Sequence, residues 1–75
     1  ADMTPQERVR ACYQHAALKY VSGQRMKNAS LSERLGIDSQ NVAQASVVIR
    51  QAIQADLIRS ADPVHPRAGY VPFWA

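Results

Sequence analysis

The stretch SLSERLGIDSQNVAQASVVIRQAIQADLI, from Ser30 to Ile58, decides the fold. Leu31 and Leu35 lie one helical turn apart and mark an inward face, and Gly36 follows at once as a C-terminal glycine. Ile37 is the apolar residue expected just past such a cap, and Asp38 or Ser39 can cap a new helix immediately afterwards. On that next helix Ala45, Ile49, Ala52 and Ile53 form the predicted buried stripe. Gln40, Ala43, Gln44, Val47, Arg50, Gln51 and Gln54 fall on the opposite side. So short a glycine-containing corner between two helices predicts a helix-turn-helix, with the second helix showing its outer face.

Upstream, Thr4-Pro5-Gln6-Glu7 is a helix start, with Thr4 as cap, Pro5 in the first position and Glu7 completing a capping box. Val9, Cys12, Tyr13, Ala16, Ala17, Tyr20 and Val21 then recur at helical spacing until Gly23. The next cap falls at Asn28 or Ser30, with Ser30-Leu31-Ser32-Glu33 as a second capping box. Downstream, Leu57-Ile58-Arg59 reads as a strand and the residues from Ala61 to Arg67 as a turn-rich loop. Gly69 to Trp74 reads as the returning strand, confined by Pro72 to an edge or to its own end.

The predicted architecture is therefore α+β: a winged helix-turn-helix with helices near 5 to 22, 29 to 35 and 39 to 55, followed by a β-hairpin wing. Gln24 to Lys27 could add a short third strand. Val9, Leu31, Leu35, Ile37, Ile49, Ile53, Leu57 and Trp74 are the expected core.

A chain of 75 residues holds one small domain in which each large apolar side chain counts. Its start at Ala1-Asp2-Met3, close to a helix signal, suggests the C-terminal piece of a longer protein. Nine Lys and Arg against six Asp and Glu leave +3, with an isoelectric point near 9.5, which suits an anionic partner without requiring one. A single cysteine cannot form an internal disulfide, so Cys12 reads as a small core hydrophobe and the expected compartment is the cytoplasm. No apolar run reaches the ~20 residues of a membrane span, so no membrane partner is expected.

The runs KYVSGQRMKNASLSERLGI, ASVVIRQAIQADLI and YVPFWA also resemble the C-terminal domain of RecG-related ATP-dependent DNA helicases and transcriptional regulators. The resemblance spans about Tyr13 to Ala75, and the aromatic ending is its most specific part. It implies a winged helix that follows an ATP-binding N-terminal region. No Gly-rich phosphate loop with its Lys-Ser/Thr occurs in this chain, so ATP would belong to that other region and no cofactor is expected here. Two positions depart from the family pattern. Val47 stands where a basic residue is usual, and Asp56 where the turn before Leu57-Ile58 usually has glycine.

The outward glutamines Gln40, Gln44 and Gln51 can pair bidentately with adenine, and Val47 can touch a thymine methyl. Arg50 can reach a phosphate or a base, and Arg25, Lys27 and Arg34 are candidate backbone clamps. Arg59, His65 and Arg67 belong to the expected wing. Tyr70, Phe73 and Trp74 could stack on single-stranded bases, but are expected to cover the sheet and the first helix as core. Cys12 and His15 lie on one helix without the further ligands of a zinc site or the orienting group of a nucleophile pair, and no carboxylate pair stands out. The expectation is a non-catalytic module that binds double-stranded DNA for a helicase-related parent, with that parent's N-terminal domains as the other partner. The alternative is a protein-interaction or dimerisation module using Val47 and the glutamine face.

Overall fold

The computed structural model describes residues 4–65 and 68–75. Three helices precede a two-stranded antiparallel hairpin: α1 (Pro5–Val21), α2 (Asn28–Leu35), a 3-10 turn (Ser39–Asn41), α3 (Val42–Gln54), β1 (Ile58–Ser60) and β2 (Tyr70–Pro72). Helix α1 packs on α3 and on β2, and α2 packs across α3. The α+β class and the order of elements agree with the sequence.

Capping chemistry fixes the helix ends. At α1 the Thr4 hydroxyl accepts from the Glu7 N–H at 3.2 Å, while the Glu7 carboxylate accepts from the Thr4 N–H at 3.1 Å. At α2 the cap is neither Asn28 nor Ser30. The cap position is Lys27, whose N–H donates to the Ser30 hydroxyl at 2.9 Å, so Ser30 is the third residue of its helix and answers the backbone from inside. Ahead of α3, Asp38 Oδ1 accepts from the Gln40 N–H at 3.0 Å and opens the 3-10 turn.

All three helices close in the same way. The pairs are Gln24 N–H to Lys19 C=O at 2.8 Å, Ile37 N–H to Ser32 C=O at 2.8 Å and Leu57 N–H to Ala52 C=O at 3.0 Å. Each is the outer bond of a Schellman motif, accompanied by an inner bond from the preceding residue. The left-handed residue at the centre is Gly23, Gly36 or Asp56, with φ of 77°, 70° and 60°. Asp56 makes this turn without glycine, because a short polar side chain tolerates the left-handed region better than most.

The hairpin pairs Ile58 with Pro72, Arg59 with Val71 and Ser60 with Tyr70. Pro72 ends its strand, as its missing N–H demands. In the loop, Val64 N–H donates to Asp62 Oδ1 and His65 N–H to the Asp62 carbonyl, both at 3.0 Å, a turn built on Asp-Pro. The connector between α1 and α2 joins the sheet through one residue: Tyr70 N–H donates to the Met26 carbonyl at 2.7 Å, and Met26 N–H to the Tyr70 carbonyl at 3.2 Å.

The core differs from expectation at three places. Met26, in the connector, is fully buried and lies 3.9 Å from the Cys12 sulfur. Ile53 is 40% exposed and Val48 is buried in its stead. The buried arc of α3 is centred on Ala45, Val48, Ile49 and Ala52, so Ile53, about 100° round from Ala52, falls on the rim. Trp74 is also half-exposed, because it lies on the flank of α1, where its indole N–H donates to the Tyr13 hydroxyl at 2.9 Å. Leu31 and Ile49 are buried as expected, and Val9, Leu35, Ile37 and Leu57 pack partly buried against them. On α1, Cys12 and Ala16 face the core, but Tyr20 and Val21 are exposed.

Met26→Ala leaves a cavity at the centre and is expected to cost about 2–5 kcal/mol, while Met26→Leu keeps the volume and should cost less than about 1.5 kcal/mol. Denaturant unfolding of both variants measures the difference; equal losses would show that the side chain is not what closes the core.

Candidate functional site

The outward face of α3 is as the spacing predicts. Gln40, Ala43, Gln44, Val47, Arg50, Gln51 and Gln54 are all exposed. Gln40 precedes the α-helix itself and sits in the 3-10 turn, its backbone held by Asp38. The rest divide between two flanks of the helix.

One flank looks toward the start of α1. Gln44, Val47 and Gln51 line a hollow of about 230 Å³ with Pro5 and Arg8. Arg8 was not among the residues singled out from the sequence. The signal was present in the spacing, since Arg8 stands one turn before Cys12, which is buried under α3.

The other flank looks toward the connector and the hairpin. Asn28 Nδ2 donates to the Ser46 hydroxyl at 2.7 Å, which pins the first turn of α2 to this side of α3. Arg50 follows Ser46 by one turn, so it rises on the flank to which Asn28 is attached. Immediately before Asn28 come Arg25 and Lys27, and both are fastened against the hairpin. Arg25 Nη1 donates to the Ala68 carbonyl at 3.5 Å. A Cβ on Gly69 would meet the Met26 carbonyl at 2.8 Å, Arg25 Cβ at 3.0 Å and Lys27 Cγ at 3.4 Å. Gly69, at φ 97°, is thus the only kind of residue that lets connector and hairpin approach so closely. The bonded chain from hairpin to connector to α3 thus sets Arg25 and Lys27 beside the start of β2 and Asn28 beside Ser46 of α3.

The remaining basic candidates lie elsewhere. Arg34 shares a shallow hollow of about 350 Å³ with His15, Lys19, Ser30 and Glu33, on the surface between α1 and α2. Arg59 lies in β1, the strand expected for it, and its guanidinium donates to the Ala75 carbonyl and to the Ser60 carbonyl. Arg67 lies outside the described residues. His65 is exposed, with Nδ1 2.9 Å from Asp62 Oδ2. That contact, then the Val64 N–H and more distantly Arg25, hold the Asp62 carboxyl below its usual range.

Burial pushes the Cys12 thiol up to about 12, so it stays protonated in the core. The His15 imidazole is lowered from 6.5, first by burial and then by Lys19 and Arg34, and its Nε2 is buried without a hydrogen-bond partner. Among the described residues there is no group of three or more His, Cys, Asp or Glu placed to hold a metal, and no helix long and apolar enough to cross a membrane. No family model, curated protein or solved structure matches the chain.

His15 sets a pH dependence. Its folded pKa lies below 6.5, so on acidification the unfolded chain takes up the proton first. The stability it contributes is whole above about pH 6.5 and declines as the pH falls from there toward the folded value. Between about pH 7 and 5 the wild-type unfolding midpoint should drop, and His15→Gln should flatten that drop; parallel profiles for the two proteins would refute the assignment.

Proposed function

We propose that this chain is a DNA-binding winged helix-turn-helix module, non-catalytic in itself, that serves as a targeting or regulatory piece of an ATP-binding, helicase-related protein. Helix α3 enters the major groove and the hairpin follows the backbone as a wing. The observation that carries this reading is the outward face of α3, where Gln44, Val47, Arg50, Gln51 and Gln54 are all exposed beyond a tight glycine corner, as suits a helix presented to a groove. The resemblance to the RecG-related C-terminal domains points the same way.

Roles follow from position. Arg25 and Lys27 contact phosphates on the wing side, and Arg50 reaches a phosphate or a base edge from α3. Gln40 and Gln44 face the base edges, with Val47 able to touch a thymine methyl. Arg8 gives the Gln44–Gln51 flank a cation of its own. Arg59, tied to the C-terminal carbonyl, and Arg34, on the α1–α2 surface, take lesser parts. With Val47 uncharged at the centre of the face, binding by this chain alone falls near the non-specific range, roughly micromolar or weaker at physiological salt.

Chemical-shift titration with a generic duplex at low and moderate salt tests the reading. Arg25→Ala and Arg50→Ala should each weaken binding and reduce the slope of log K against log salt by about 0.9 if each removes one phosphate contact. Gln44→Ala should instead change the preference among sequences, by ~1–3 kcal/mol for a bidentate base contact. A duplex that leaves α3 and the connector unperturbed at low salt would overturn it.

A further inference from the structure

A hollow of about 600 Å³ opens between the first half of α1 and the end of α3, and Gln51 is the one residue of the outward α3 face that lines it. Pockets for small molecules run from roughly 300 to 1,000 Å³, with apolar walls and a few convergent polar groups. This one has that make-up. Gln6, Val9, Arg10 and Tyr13 stand three and four residues apart on one side of α1, and Leu57 joins them from just past the Asp56 corner. Val9, Tyr13 and Leu57 are partly buried there, packed against the core. Arg10 is the only charged side chain among the described residues of the lining, and its guanidinium has no ion-pair or hydrogen-bond partner among the described residues. The carboxylates nearest in sequence do not meet it: Glu7 is taken up by the Thr4 N–H, and Asp56 does not line the hollow. Tyr13 brings a second donor. Its hydroxyl oxygen accepts from the Trp74 indole N–H, so its own proton is left for another partner.

We propose that this hollow binds a small carboxylic acid with an apolar body, its carboxylate held by the Arg10 guanidinium and the Tyr13 hydroxyl and its body lying against Val9 and Leu57. Charge selects the head group. A single guanidinium balances one negative charge, which is what a carboxylate carries, and not the ~1.5–2 of a phosphate monoester near pH 7. The planar fork of arginine also matches a carboxylate in shape. The walls select the body, since Val9 and Leu57 offer contact to an apolar group and nothing to a hydrated ion. A nucleic-acid strand would bring a phosphate for Arg10 but leave those walls unused, and an uncharged apolar peptide would cover the guanidinium without pairing it. The amides of Gln6 and Gln51 can donate or accept at the rim, as a ligand's further polar groups require. Val9, Arg10 and Tyr13 have no part in the DNA reading, so this inference does not rest on it.

Titration of the whole chain with phenylacetate, followed by amide chemical shifts, tests it. The expected result is saturable shifts centred on residues 6–13 and 51–57, with a dissociation constant on the order of 1–10 mM, as suits a ligand of about ten heavy atoms. The Trp74 indole N–H signal should move over the same range, because it is bonded to the Tyr13 hydroxyl. Arg10→Gln should weaken binding about tenfold, the loss of a hydrogen bond between charged groups, while Arg34→Gln, which removes a cation on the α1–α2 surface, should leave it unchanged. The unfolding midpoint of Arg10→Gln should stay near that of the wild type, since the position is exposed. Phenylacetamide, similar in shape and uncharged, should bind the wild type about as weakly as phenylacetate binds the variant. Shifts that stay linear, shifts centred elsewhere, or undiminished binding by Arg10→Gln would overturn the proposal. So would a DNA duplex that moves residues 6–13 at moderate salt when phenylacetate does not, which would assign Arg10 to phosphates instead.

Discussion

Met26 is the residue on which the arrangement turns. It belongs to no helix and to neither named strand, yet its backbone exchanges two hydrogen bonds with Tyr70 and its side chain fills the centre of the core. The backbone bonds tie the α1–α2 connector to the hairpin, and the side chain lies against Cys12 of α1. A small domain has few large residues with which to fill its interior, and here many of the buried ones are small: Ala11, Cys12, Ala16, Ala45 and Ala52. Small residues on α1 and α3 let the helices approach closely, and the space left among them takes a long, flexible, polarisable side chain rather than a branched or aromatic one. The placement of Arg25 and Lys27 follows from this. Both flank Met26, so the residue that closes the core also fixes where the two cations stand.

Much of the fold was legible because its signals are local. Capping at Thr4, the glycine corner at Gly36, the apolar Ile37 beyond it and the Asp-Pro turn of the hairpin each depend on residues within one turn of one another. The winged helix-turn-helix expectation led to the right order of three helices and a hairpin. Asp56 shows the same logic where the residue type changes, because the bond from Leu57 to Ala52 persists around a non-glycine centre. At Lys27 the local reading failed, since a Ser at the third helical position can serve the cap from inside as well as a Ser at the cap itself.

What was not legible is set by distance along the chain. Periodicity gives the direction of an apolar arc but not its width, and on α3 the arc is narrow enough that Ile53 falls outside it while Val48 falls within. Size alone made Trp74 a core candidate, yet the centre was already filled by Met26, and the indole found its partner on the flank of α1. The same holds for the site. The outward face of α3 was read correctly from spacing, whereas the sorting of its cations was not. Arg34 and Arg25 looked alike in sequence, but one lies on the α1–α2 surface and the other against the hairpin, a separation set by the Met26–Tyr70 bonds between residues far apart in the chain.

Strand β2 gives the two surfaces of the molecule a fixed relation. Gly69, just before it, is packed against Arg25 and Lys27; its continuation, at Phe73 and Trp74, lies on Tyr13 and Tyr20 of α1. Between them Val71 and Pro72 are buried, and proline removes one torsional freedom from an already short segment. A strand rises about 3.3 Å per residue, so the basic edge and the aromatic flank are only on the order of 10–15 Å apart along it. The charges of this chain are therefore sorted rather than merely sparse. Its C-terminal segment carries no charged side chain of its own, but the Arg59 guanidinium is bonded to its Ala75 carbonyl, and the cations at the hairpin sit where the connector places them. The aromatic flank and the cations beside Gly69 thus keep a fixed relation, because neither end of so short a segment can shift without disturbing the buried Val71 and Pro72 between them.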